Sequence, residues 1–178
     1  MIVKDKLHKD VLAWEVEIED LNIDVENLDY KLQDGLFGKD VATRFENNDK
    51  ELKKKVLKAL DLEAIKIIIP DYNKIDIKIF KDLPGFKLWP HSDLRTHKAF
   101  IMINLVDNKN STIFCSMEEE DLCKASNKKN NGVFHILHKG PIMHHVENNS
   151  NEDRYTTIAF IKQLWQYHQH MRHFQLLR

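Results

Sequence analysis

The chain has 178 residues, and 27 Lys and Arg balance 28 Asp and Glu to a formal net charge of -1. That length suits one domain with a real core, and the charge balance leaves no electrostatic footprint for nucleic acid. No apolar run approaches the roughly 18 residues a membrane span needs, so a soluble, cytoplasmic globular protein is expected.

In chain order, residues 11–18 alternate apolar and polar positions with the period of a strand. Residues 21–46 carry mixed charge that favours surface helix and loop. Asn48 or Asp49 can cap a helix whose Leu52, Val56, Leu57 and Leu60 make one apolar stripe, with Lys53, Lys54, Lys55 and Lys58 facing water. After about residue 62 the chain reads as successive short strands. Residues 65–69 are rich in β-branched side chains and end at Pro70. Ile75, Ile77 and Ile79 then alternate with Asp76 and Lys78.

Pro84-Gly85 marks a turn before Phe86 to Trp89. Residues 99–106 are nearly all apolar, as in a strand covered on both faces. Residues 111–115, 133–137, 142–146 and 155–161 complete the set, several of them separated by polar turns. Roughly eight strands of this kind indicate a sandwich or barrel. The last segment, 163–178, is helical in pattern. Leu164, Tyr167, Met171 and Phe174 form a stripe for packing on the body or on a second copy, so a homodimer through this helix is one expected assembly. Cys115 and Cys123 lack CxxC spacing and are expected to be free thiols in a reducing compartment.

The chemistry concentrates in the second half. His91 and Asp93 are two apart, so a strand end can turn both to one side. His144 lies far enough along the chain to approach from a neighbouring strand. Two imidazoles and one carboxylate hold Fe(II) on one face and leave the other positions open. Arg154 follows His144 by one turn, and its planar fork suits a carboxylate. Thr156, two further on, faces the same side and can donate its hydroxyl.

His145 competes with His144, because adjacent strand residues face opposite ways. His144 is the preferred ligand, with His145 on the outer face or at the rim. His135 and His138 are expected to be solvent-facing or structural.

The stretch Gly85-Phe86-Lys87-Leu88-Trp89-Pro90-His91-Ser92-Asp93, with Met143-His144-His145-Val146 and Arg154-Tyr155-Thr156, resembles the Fe(II)- and 2-oxoglutarate-dependent oxygenases. It looks most like their small prolyl-hydroxylase-like members. The resemblance covers about residues 75–162. It implies a mainly β fold, a double-stranded β-helix (a jelly-roll, cupin-like core) buttressed by N-terminal helices. Residues 1–62 would be the strand and helical buttress, 63–162 the core, and 163–178 a C-terminal helix of the same single domain.

It also implies that His91, Asp93 and His144 bind iron and act in catalysis, while Arg154 and Thr156 hold the distal carboxylate of 2-oxoglutarate. Family members often place a tyrosine on the strand after HxD to touch that carboxylate. The position here is Asn104, whose amide would donate instead. An upstream Arg-Tyr pair is replaced by Ile79-Phe80, which would make that end of the pocket more apolar.

The implied reaction is hydroxylation of a C–H bond with Fe(II), 2-oxoglutarate and O2, giving succinate and CO2. The substrate would be a prolyl or other peptidyl residue, with Trp89, Phe80 and Arg95 each either a rim contact or a packing or solvated surface group. Hydroxylation of a free amino acid or small metabolite is the nearest alternative. A cupin-like enzyme without 2-oxoglutarate, and a non-catalytic jelly-roll metal-binding or structural module, complete the options. Arg154 speaks against the last, because a structural site has no need of a buried guanidinium facing a cavity.

Overall fold

Alternating apolar residues make strands that must bury one face, and here they build two sheets packed face to face. The computed structural model describes residues 1–32, 44–92, 97–118, 120–137 and 142–163. Among them, the larger sheet has the order β1 (Ile2–His8), β2 (Val11–Glu17), β10 (Asn131–Ile136), β7 (Ala99–Asn104), β12 (Arg154–Gln163), β5 (Tyr72–Asp82), β4 (Arg44–Asn47) and β3 (Lys31–Leu32). The smaller runs β6 (Lys87–His91), β11 (Met143–Glu147), β8 (Ile113–Cys115) and β9 (Asp121–Lys124). Every neighbouring pair is antiparallel. This is the expected jelly roll, a double-stranded β-helix with helices on one face.

The two faces of the larger sheet carry separate cores. Ala99, Ile101 and Ile103 of β7 join Ile77, Ile79, Ala159 and Ile161 against the helices. Phe100 and Met102 point the other way, into a second cluster between the sheets with Phe114, Val133, Val11 and Ala13. All six residues of β7 are buried, which is why its sequence reads as a continuous apolar run.

Helix α1 (Lys50–Ala59) starts where its cap predicts. The Asp49 carboxylate accepts from the Leu52 backbone N–H at 2.8 Å, and Leu52, Val56 and Leu60 pack on the sheet. Residues 65–69, expected as a strand, belong instead to α2 (Leu62–Ile68). Asp61 caps it through the Ala64 N–H at 2.9 Å, and Glu63 sits in the first turn. A strand would place Ile65, Ile67 and Ile69 on one face. In the structure Ile65 and Ile69 are buried while Ile67 is 79% exposed, the period of a helix. The cap and this packing outweigh β-branched propensity.

The expectation of surface helix and loop over 21–46 also needs correction at its end. Arg44 to Asn47 form β4, paired with β5, with Arg44, Glu46 and Asn47 buried. The expected C-terminal helix lies outside the described residues, apart from Gln163, which ends β12. Cys115 is buried and Cys123 is half-buried. No described helix is long and apolar enough to cross a membrane.

The tightest backbone approach sits at Gly132, where β10 meets β7. A Cβ there would lie 1.7 Å from the Met102 carbonyl oxygen, and backbone atoms cannot swing aside as a flexible side chain can. Gly132→Ala is therefore expected to cost at least about 2 kcal/mol, measured by denaturant unfolding. Wild-type stability in that variant would show that the strands can part without penalty.

Candidate active site between the sheets

One end of the site is set by an irregularity in β6. His91 pairs with His144 of β11, while Leu88 pairs with Val146, so three residues of β6 span two of β11. The bulge at Trp89-Pro90 breaks strict alternation and turns Leu88 and His91 to the same face as Val146 and His144. Trp89 is left pointing out, 65% exposed, with the Lys87 ammonium 4.2 Å from its ring centroid.

The two imidazoles come together, with ring centroids 4.3 Å apart. His91 Nδ1 lies 2.8 Å from the Trp89 carbonyl oxygen. That oxygen can only accept, so Nδ1 carries the proton, which makes Nε2 the lone-pair atom of the neutral tautomer. Burial, reinforced by the nearby His91, His135, His145 and Arg44, holds His144 well below the usual imidazole range. It is therefore neutral, the form that binds metal.

His145 faces away from this pair. Its Nε2 is 3.5 Å from Asp121 on the outer side of the smaller sheet. The structure thus brings His144, not His145, beside His91. Asp93, Arg95 and His138 lie outside the described residues, which bring together these two imidazoles and no third metal donor. The fit to an Fe(II) centre rests on the donor chemistry of the pair and on the position of Asp93, two residues beyond His91.

The other end of the site is a row of charges across the larger sheet. Arg44 of β4, Asp82 of β5 and Arg154 of β12 are register partners on three adjacent strands. Asp82 accepts from Arg44 through both oxygens, Nε to Oδ1 at 2.6 Å and Nη2 to Oδ2 at 3.0 Å. Arg154 Nη1 reaches the shared Oδ2 at 2.9 Å. Its Nη2 donates to the Thr112 hydroxyl at 3.2 Å and contacts Met102 Sδ at 3.5 Å.

All three charged residues are buried. Burial pulls the Arg154 guanidinium below its ordinary value, opposed by Asp82 and assisted by the like charge of Arg44, and it remains a cation. Arg154 Nε and the Thr156 hydroxyl have no hydrogen-bond partner among the described residues. Buried polar groups are normally satisfied, so open donors here mark a place for an acceptor.

Both ends line one cavity. Arg44, Arg154, Thr112 and His144 contribute its polar wall, and Leu88, Phe100, Met102, Val146, Ile158 and Phe160 its apolar one. Arg44, Asp82 and Thr112 escaped the sequence reading. The only hint was alternation, which puts Asp82 on the Phe80 side of β5.

The expected role of Asn104 changes, and the alternatives left for His135 and Phe80 are decided. Asn104 spends its amide on the protein, donating to the carbonyls of Ser126 (2.7 Å) and Asn131 (2.9 Å) and accepting from Asn108 (2.8 Å). It ties the end of β7 to the loop before β10. His135 is not solvent-facing. It is buried edge-on against Phe100 and Phe114, behind His144. Phe80 takes the packing alternative, buried with its ring centroid 4.4 Å from the Arg44 guanidinium carbon.

No family model and no curated protein matches the sequence. Solved structures do share the fold. A viral collagen prolyl hydroxylase from Paramecium bursaria Chlorella virus-1, in its 2-oxoglutarate complex, aligns at TM-score 0.55 and 11% identity over 90% of this chain and 100% of its own. A Trichoplax adhaerens prolyl hydroxylase bound to a hypoxia-inducible-factor peptide aligns at 0.58 and 8%, over 78% and 72%. An alpha-ketoglutarate-dependent carbocyclase of nogalamycin biosynthesis aligns at 0.58 and 12%, over 93% and 87%. The chain therefore has the fold these oxygenases use.

A buried imidazole held neutral makes the metal-free protein acid-sensitive. His144 takes up its proton more readily in the unfolded chain, so its contribution is complete above about pH 6.5 and is lost as pH falls toward its lowered value. Unfolding free energy should drop by up to about 1.4 kcal/mol per pH unit in that window. The drop should be shallower in His144→Leu, and an identical slope in both proteins would contradict the assignment.

Proposed function

We propose that this protein is an Fe(II)- and 2-oxoglutarate-dependent dioxygenase that hydroxylates a C–H bond. The observation that carries the reading is the cavity itself, with His144 (its ring against that of His91) at one end and a surplus of buried positive charge at the other. A 2-oxo dicarboxylic acid has a chelating head and an anionic tail to match.

In this reading His91, Asp93 and His144 hold the metal. The Trp89 carbonyl keeps the lone pair of His91 aimed at it. Arg154 takes the distal carboxylate of 2-oxoglutarate, with the Thr156 hydroxyl as a second donor and Thr112 steadying Nη2. Asn104 has no part in that contact. Phe100, Ile158, Phe160, Leu88 and Val146 exclude water from the carbon chain between the two ends. Bound Fe(II) would supply the oxygen chemistry by which O2 and 2-oxoglutarate give succinate, CO2 and a hydroxylated product.

A prolyl or other peptidyl side chain is the favoured substrate. Prolyl hydroxylases recur among the structures that share the fold. Trp89, exposed beside His91 at an edge strand, offers an aromatic surface where an extended peptide would approach.

Anaerobic addition of Fe(II) and 2-oxoglutarate should produce the weak visible band of the chelate, and admission of oxygen should yield succinate. His91→Ala and Asp93→Ala should each abolish succinate. Arg154→Ala should weaken co-substrate affinity by about 100-fold. Full turnover in either ligand variant, or unchanged affinity in the arginine variant, would refute the assignment.

A further inference from the structure

Arg44 stands out because it lines the cavity, yet the proposed function assigns it no contact with metal or co-substrate. We propose that Arg44 is a specificity-determining residue: by occupying Asp82 it leaves the charge of Arg154 uncompensated toward the cavity, so that the site selects a ligand whose buried tail carries one negative charge. The inference rests on the co-substrate assignment above.

The geometry gives Asp82 mainly to Arg44. Its Nε and Nη2 form a side-on fork over both carboxylate oxygens, whereas Arg154 reaches only the shared Oδ2, through one nitrogen. Arg44 is held there. Its guanidinium carbon lies 4.4 Å from the ring centroids of both Phe80 and Phe86, and little of the residue meets solvent.

In the ion pairs of the described residues, Asp82 is the one carboxylate given to either arginine. The row therefore carries two positive charges and one negative one, all three buried from bulk solvent. An isolated buried charge is costly, so the row favours an anion that balances it. With Arg44 neutral, Asp82 would offset Arg154 by itself, and the demand for an anion would vanish. A purely structural tie between strands predicts no such dependence on net charge.

The test compares anaerobic calorimetric binding of 2-oxoglutarate and its C5 amide, with Fe(II) present, to folded variants. The amide is nearly isosteric and lacks the tail charge. Wild type should favour the acid by on the order of 100-fold. Arg44→Gln should cut that preference at least about tenfold, and Arg44→Lys should keep most of it. The double variant Arg44→Gln/Asp82→Asn, which again leaves one net positive charge, should restore it.

If Arg44→Gln does not fold, Asp82→Asn serves in its place: with two positive charges its preference for the acid should exceed that of wild type. An Arg44→Gln protein as discriminating as wild type, a double variant no better than the single one, or an unraised preference in Asp82→Asn would overturn the proposal and leave the oxygenase assignment intact. Failure of wild type to bind either compound would remove both.

Discussion

One carboxylate ties the site to the sheet. Asp82 is flanked in register by Arg44 and Arg154, so its two ion pairs run across three neighbouring strands rather than along one. Loss of such a buried partner strands the remaining charges at a cost of several kcal/mol. Register matters equally. A slip of β12 by one residue would turn Arg154 and Thr156 toward the helices and put Tyr155 and Thr157 in the cavity. The long β5–β12 ladder, continuous from Arg154 to Lys162, makes that slip expensive.

The opposite end of the cavity is positioned by a different device. A local bulge in β6 brings His91 round to His144, and the backbone carbonyl two residues earlier orients its ring. The turn after β11 closes the arrangement. Asn148 is buried and donates to the carbonyls of Asp82 (2.9 Å) and Glu152 (2.8 Å), and its own backbone carbonyl accepts from Gly85. One asparagine thereby couples the end of β5 to the strand entering the site. The charge row and the imidazole pair are held at a fixed separation because both are anchored to this connection.

The strand-rich second half, the capped α1 and the partly legible site follow from local pattern. Arg154 and Thr156 were identifiable because they alternate cleanly along β12, whereas His91 and His144 were identifiable from the motifs that carry them. Other features hid in competing signals. In residues 65–69 β-branched side chains argue for a strand, and only the Asp61 cap together with the exposure of Ile67 reveals a helix. Arg44 and Asp82 are invisible singly, since an isolated arginine or aspartate in a charged chain is ordinarily at the surface. Their partners lie far apart in sequence, and only the pairing of β4, β5 and β12 brings them into one row. Asn104 misled for a related reason. Its amide answers carbonyls from the loop before β10, a long-range demand that a motif comparison does not register.

The placement of β12 between β5 and β7 has a bearing on biosynthesis. Until that strand leaves the ribosome, the middle of the larger sheet is missing and β5 and β7 present raw edges side by side. The amino-terminal half can form its hairpin and capped helix early, but the charge row waits for the arginine made last. Nascent chains must therefore carry an unfinished sheet from the synthesis of β5 until β12 emerges, a state in which chaperone capture would compete with aggregation.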